Sequence, residues 1–421
     1  MKLSADRLAA ARLLMRVEGG AFSSRLLSGG GPPATRVRVL EVLRWLRALD
    51  AVLQPRCRRD LAKLDPEVRV SLRLGLAEAA RLGMPPALAT DGAVRLVRRL
   101  GRSSASGMVN AVLRKATTGW RDDLAQASPD VQLAHPGWLY RRWSDVFGAE
   151  NAESAMASAQ EPAVTWVWFS KPDVRDRLSQ EGIGIEPHPW CPGTWSSPKD
   201  TPLLIEEVRR GVAYAQDPSS QLVSRVAVAL APDSGRFLDL CAAPGGKSAL
   251  AGNLAPWDLM VAADVRLSRV RLMRSTLEPF EGRLVVAANA LQPPLSDMWD
   301  MVLIDAPCSG TGTFRRHPEI KWRLRREALP ELAARQRAML TAGLKLAAPG
   351  GVLLYSTCSV ESEENEDLFA DVPAGFEPED LGPALPDGVP WIPTPAGGVR
   401  ILPNPFGDGF TMHALRNTLE R

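Results

Sequence analysis

The chain has 421 residues, 45% of them apolar, 24% charged and 6% aromatic, with a net charge of +3. At about 150 residues per domain this length suits two or three domains with well-filled cores. No apolar run reaches the roughly 18 residues of a membrane-spanning helix, and the opening MKLSADRLAAARLLM is too interrupted by charge to be expected as a secretory leader. The five cysteines (Cys57, Cys191, Cys241, Cys308, Cys358) form no CxxC, and the four histidines lie far apart. Neither a disulfide scaffold nor a metal site is therefore expected, and free thiols in a reducing cytoplasm are.

The small net charge hides an asymmetry. Residues 1–135 carry 23 Lys+Arg against 12 Asp+Glu, a balance of +11, which leaves −8 for the rest. On charge alone this suits either a polyanion such as RNA or a solvated helical surface.

In chain order, residues 1–127 read as an all-α bundle. Segment 36–53 repeats apolar residues at Val39, Leu43, Leu46, Leu49 and Leu53, the spacing of one buried helical stripe. Asp65-Pro66-Glu67 has the form of a capped helix start. Val68, Leu72, Leu76 and Ala79 continue that helix, and Gly83 with Pro85-Pro86 ends it. Residues 106–116 make another amphipathic helix. Residues 128–215 turn Pro-rich, with a short strand at 164–169, and read as a small α+β connector. From 216 to 421 strand and helix alternate. Candidate strands at 237–241, 259–263, 284–288, 301–305 and 352–356 are short apolar runs, as in a parallel sheet covered on both faces, and a long helix occupies 329–347. The expected fold is a doubly wound, Rossmann-like α/β domain. Segment 361–388 holds ten acidic residues and no basic one; it is expected as a surface excursion before strand-like sequence resumes at 399–402.

The first strand of this domain runs into CAAPGGKS, residues 241–248. A strand, a Gly-rich turn and a helix start can receive a nucleoside-like ligand at a sheet's carboxyl edge. Asp264, at the end of the next strand, can bind the hydroxyls of a ribose. The bland alternative is a tight turn and a capping carboxylate, since neither GxGxxG nor GxxxxGK[ST] is matched. Cys308 and Cys358 each follow the end of a predicted strand, in polar loops. A right-handed crossover returns the chain parallel, so both thiols emerge at one edge, about 4.8 Å apart if the strands are neighbours. Either cysteine alone reads equally well as a small buried hydrophobe.

LDLCAAPGGKS (238–248), DAPCSGTGTFRRHPEIKW (305–322) and YSTCSV (355–360) with EEN (363–365) resemble the motifs of the S-adenosylmethionine-dependent RNA cytosine-5 methyltransferases. The helical region with VNAVLRKA, and the closing ILPNPFGDGFTMHAL, resemble the small-subunit rRNA methyltransferase B (Fmu/Sun) type, in which a NusB-like RNA-binding domain precedes the catalytic part. The resemblance implies methyl transfer from S-adenosyl-L-methionine to carbon 5 of a cytosine in 16S rRNA, by a cytoplasmic, monomeric protein. Cys358 would be the nucleophile that adds to carbon 6, and Cys308 would assist product release. Asp305 would hold the polar edge of the base, with Lys247 beside the base or its phosphate. The cofactor would be held by Cys241, Ala242, Ala243, Pro244, Gly245, Gly246, Lys247, Asp264 and Asp305, and by Asn289 where the family has an aspartate. Asn289 would reach the adenine amino group through its carbonyl oxygen.

The chemistry explains why such an enzyme wants two thiols. Carbon 5 of cytosine is a poor nucleophile until a thiolate adds to carbon 6, and the adduct must afterwards be dismantled. Arg315, Arg316, His317 and Lys321, close after Cys308, are expected to hold phosphates and favour the thiolate. A second departure from the family is TWVWFSK (165–171) in the connector, whose tryptophans suit either base stacking or core packing. The alternatives are a tRNA substrate and a non-catalytic ribosome assembly factor derived from this family.

Overall fold

A computed structural model describes residues 4–27, 31–197, 202–231, 235–278, 282–296 and 299–419; residues 1–3 of the opening segment lie outside them. The chain divides into two units, Met1–Pro162 with Phe314–Arg323, and Ala163–Thr313 with Leu324–Arg421. These limits do not coincide with the expected division at 127 and 215. The helices Gly137–Phe147 and Ala149–Gln160 fall in the first unit, because Trp143 stacks on Phe314 with ring centroids 6.0 Å apart.

Among the first unit's described residues every secondary-structure element is a helix. The stripe at 36–53 forms two helices, Pro33–Arg44 and Leu46–Leu53, broken at Trp45, whose φ of −102° and ψ of 13° are not helical. Helix Pro66–Ala80 starts where Asp65 predicts it, yet Asp65 makes no side-chain cap and instead lies 3.5 Å from Arg102. The predicted helix at 106–116 runs on as Ser106–Ala125. Val39, Leu49, Leu53, Leu72, Leu76 and Leu113 are buried together in one core, as the three-to-four spacing demands.

Segment 314–323 overturns an expectation. Arg315 is buried and donates to the Ser158 carbonyl at 2.9 Å. Lys321 is 1% exposed, and its ammonium donates to Arg44 O, Ala134 O and Gln160 Oε1, each at 3.0 Å. Burial, and then the charge of Arg44, push its pKa well down. Its hydrogen bonds go to neutral oxygens inside the helical unit rather than to a phosphate. Sequence reads the run of cations but not which of them packing will enclose.

In the second unit, the strands β1 (Thr165–Phe169), β2 (Thr194–Ser197) and β3 (Ala213–Ala215) form an antiparallel sheet in the order β2-β1-β3. Core packing claims both tryptophans of β1. Trp168 stacks on Tyr214 at 4.2 Å and donates to Gln216 at 2.9 Å, and Trp166 meets His188 edge-on.

The main sheet contains β4 (Arg236–Asp239), β5 (Leu259–Asp264), β6 (Arg283–Ala287), β7 (Trp299–Asp305), β8 (Ala347–Thr357), β9 (Phe376–Pro378), β10 (Trp391–Pro393), β11 (Val399–Ile401) and β12 (Phe410–Asn417). Their order is β10-β11-β12-β8-β7-β4-β5-β6, with β9 paired to β12. Strands β4 to β8 are parallel, and β12 joins β8 antiparallel, so the sheet is mixed rather than purely parallel. Strand order reverses between β4 and β7, where a doubly wound sheet opens a crevice at its carboxyl edge. The crossover helix Leu329–Leu344 links β7 to β8.

The acidic stretch 361–388 is not a surface excursion at its start. Glu361, Glu364 and Asn365 are at most 1% exposed, and Glu366 pairs with the buried Arg400. Asn365 donates to Glu361 O at 2.7 Å and accepts from Thr357 Oγ1 at 2.7 Å. Buried polar groups persist where every partner is supplied, and composition alone cannot display that pairing.

Replacing Lys321 with Met orphans three buried acceptors. Thermal denaturation is expected to show a loss of about 1–3 kcal/mol. The salt dependence of RNA binding should stay unchanged, whereas a lysine neutralising a phosphate would contribute about 0.9 to the log–log slope.

Candidate active site

The carboxyl ends of β4, β7 and β8 lie side by side, with Asp239 opposite Leu303 and Asp305 opposite Ser356. Everything the sequence analysis selected on these strands therefore reaches one edge. After β4, Gly245 takes φ +105°, a left-handed conformation that suits glycine. A Cβ there would stand 3.2 Å from Met273 and 3.3 Å from Thr276. Helix Gly246–Leu254 follows, and its first turn presents amides that have no helical partner.

Asp239 anchors this turn. It accepts from Ser248 Oγ at 2.7 Å and from the Cys241 amide at 3.2 Å. Burial pushes its carboxyl up to about 7, against the opposing bond from Ser248 and with help from Asp305. Burial, then Asp239, also pushes the Cys241 thiol up, so Cys241 stays a neutral thiol. Asp264, at the end of β5, is buried and accepts from the Arg266 amide at 2.8 Å, with Arg269 at 3.4 Å. Asn289 lies just past the end of β6, and its Oδ1 accepts from Leu291 N at 3.1 Å. A carboxylate for hydroxyls, small residues and free helix-start amides are donors and acceptors that fit a nucleoside bearing an amino-acid group. The residues expected to hold the cofactor sit on this one edge.

Cys308 Sγ and Cys358 Sγ are 3.3 Å apart. The sulfur–sulfur hydrogen bond to Cys358, then burial and the Cys358 charge, push the Cys308 thiol well up. Cys308 therefore holds its proton more tightly than a free thiol does. Lys247 Nζ lies 2.8 Å from Asp305 Oδ2, and Ser356 Oγ donates to Asp305 Oδ1 at 3.0 Å. Burial pulls the Lys247 ammonium down, but Asp305, followed by Cys358 and Asp239, raises it overall. Lys247 is thus a cation within electrostatic reach of Cys358.

The two cysteine loops are laced together by backbone. Gly312 N donates to Cys358 O at 2.9 Å, and Gly409 N donates to Gly312 O at 2.8 Å. A Cβ on Gly312 would lie 2.1 Å from Gly409 O, so this approach requires glycine.

Sequence reading missed several contributors. Glu364 accepts from the Ser309 amide and side chain, from Ser359 and from Gln336. The Phe410 ring lies 5.1 Å from Lys247 Nζ. Both lay in family-like stretches of the sequence, Glu364 in EEN (363–365) and Phe410 in ILPNPFGDGFTMHAL, but neither carried a role there.

The titration of Asp239 has a definite sign. Its folded pKa of about 7 exceeds its ordinary 3.8, so the folded state binds the extra proton. The stability this group contributes is complete below about pH 4 and is lost as pH rises through about 7. Unfolding measured from pH 4 to 8 should show that decline, and Asp239→Asn should flatten it.

The family described as "16S rRNA methyltransferase RsmB/F" matches residues 227–375, and the NusB family matches residues 4–118. The ribosomal RNA small subunit methyltransferase B of Xanthomonas campestris pv. campestris is 32% identical over 403 residues, which cover 90% of each chain. The crystal structure of PH0851 superposes with a TM-score of 0.76 at 20% identity, over 99% of both chains. That of NSun6 from Pyrococcus horikoshii with SFG gives 0.58 at 19%, over 68% of this chain and 99% of that one. These two likenesses establish the fold.

Proposed function

This chain belongs to the 16S rRNA methyltransferase RsmB/F family, and on that footing we propose that it methylates carbon 5 of a cytosine in small-subunit rRNA through a covalent bond from Cys358. The observation that carries this reading is a pair of sulfurs 3.3 Å apart beside the Lys247–Asp305 ion pair.

S-adenosylmethionine, held by the 241–247 turn, Asp264 and Asn289, supplies an electrophilic methyl group on a sulfonium. The Cys358 thiolate adds to carbon 6, and its electron pair moves into the ring so that carbon 5 becomes the nucleophile. Lys247 offsets the negative charge entering the ring. Asp305, held through both oxygens, accepts from the amino group of the base.

The arrangement of protons explains the exit step. Bonding of Cys358 to carbon 6 removes the thiolate charge and the hydrogen bond that keep Cys308 protonated. Cys308 then releases its proton to solvent and takes the one on carbon 5. The electron pair left behind forms the 5,6 double bond and expels Cys358 as thiolate. Both sulfurs return to their starting states, with one proton released for each methyl transferred.

A base attacked at carbon 6 and alkylated at carbon 5 must leave its stack. The Arg-rich helical unit suits this task by contacting phosphates without reading sequence. An rRNA substrate is in keeping with a protein that works in the cytoplasm.

Cys358→Ala is expected to abolish transfer, and Cys308→Ala to accumulate an RNA–protein adduct that survives denaturing electrophoresis. Full activity in Cys358→Ala would sink the assignment. Bisulfite sequencing of rRNA and tRNA from cells with and without the protein should show one protected 16S cytosine appearing only with it. Protection confined to tRNA would move the substrate.

A further inference from the structure

Both cysteines are followed by a serine, and the two serines meet on one carboxylate. Glu364 Oε1 accepts from the Ser309 amide at 2.8 Å and from Gln336 Nε2 at 3.0 Å. Oε2 accepts from the Ser309 hydroxyl and from Ser359 Oγ, the latter at 2.5 Å. Gln336 also donates to Pro307 O at 2.9 Å, so Cys308 is braced from the residues before and after it. Glu364 is 0% exposed, and among the described residues none of its partners is a cation. A carboxylate has about four acceptor sites, and here four donors fill them.

A buried carboxylate without a cation is a costly group. A neutral side chain could brace two loops at less cost, so the charge itself calls for a role. We infer that Glu364 is a positioning residue of the reaction, tying the residues beside Cys308 and Cys358 to one anchor and so setting the gap between the two sulfurs. This inference rests on the covalent reading above. The carboxylate's negative charge also favours the protonated form of Cys308.

The purely architectural alternative is that Glu364 only stabilises the fold. Full-length protein with Glu364→Gln separates the two, using 16S rRNA transcripts and radiolabelled S-adenosylmethionine. Positioning predicts a kcat lower by roughly tenfold to a hundredfold, the scale of misplaced reacting groups, with KM for RNA within about twofold. It also predicts that the acidic limb of the kcat–pH profile moves to lower pH, because Cys308, which must lose its proton before it can take the one on carbon 5, loses a neighbouring negative charge. Glu364→Asp keeps the charge but not the reach, and should hold that limb in place while kcat stays low.

A lowered melting temperature with unchanged kcat and an unmoved pH profile would overturn the inference. If Glu364→Gln does not fold, Ser359→Ala removes the Ser359 tie to Glu364, together with its contacts to Ser309, Thr311 and the Glu361 amide, and is read by its kcat, where no change is again the overturning result. The parent protein is assayed beside these variants for a covalent adduct with RNA containing 5-fluorocytidine. Absence of that adduct takes down the covalent reading itself, independently of anything measured at Glu364.

Discussion

The parallel register of β7 and β8 is the constraint on which the site depends. Asp305 sits opposite Ser356, so the residues that follow them, Cys308 three places on and Cys358 two places on, leave the sheet together. Because side chains alternate along a strand, a slip of one residue would turn each group to the opposite face. The apolar strands on either side oppose such a slip. Met301, Val302, Leu303 and Ile304 face Val352, Leu353, Leu354 and Tyr355, all fully or nearly fully buried. The Ser356–Asp305 hydrogen bond and the Gly312–Cys358 backbone bond carry this register out into the loops.

On that frame the site is electrostatically lopsided. Asp239, Asp305 and Glu364 bring three carboxyl groups to one edge, with the Lys247 ammonium paired to Asp305. In a poorly solvated site, charges act on one another strongly. Burial first, and neighbouring charge second, raises Asp239 to about 7 and pushes the Cys241 thiol up, while the hydrogen bond to Cys358 and then burial push Cys308 up. Both thiols are held away from the thiolate form by their surroundings, and a thiol's reactivity follows its thiolate character. Cys191, buried in the second unit and also pushed up by burial, shows the same rule where no chemistry is asked of the sulfur.

In the first unit, tertiary structure turns charge inward. Glu78 is fully buried between Arg7 and Arg38, and Lys321 is enclosed by three neutral oxygens. A count of basic residues therefore overstates the surface available to a polyanion. Removing one partner from such a buried set strands the others.

How much of this was legible beforehand follows from the range of the forces involved. Local rules read the apolar strand runs, the Gly-rich turn after β4, the helical stripe at 36–53 and the paired thiols at one edge, because periodicity and turn chemistry act over a few residues. The motifs in turn identified the family. They could not reveal that Trp166 and Trp168 pack in a core, that the start of the acidic stretch at 361 is buried, or that Lys321 lies inside a helical unit. Those outcomes depend on partners far away in sequence: Lys321 on Arg44, Ala134 and Gln160, and Glu364 on Ser309 and Gln336. Sequence by itself determined the family and the strand ends that the selected side chains occupy. The tertiary structure alone decided which charges are solvated and which are enclosed, because the cost of burying a polar group depends on the donors and acceptors that folding brings to it.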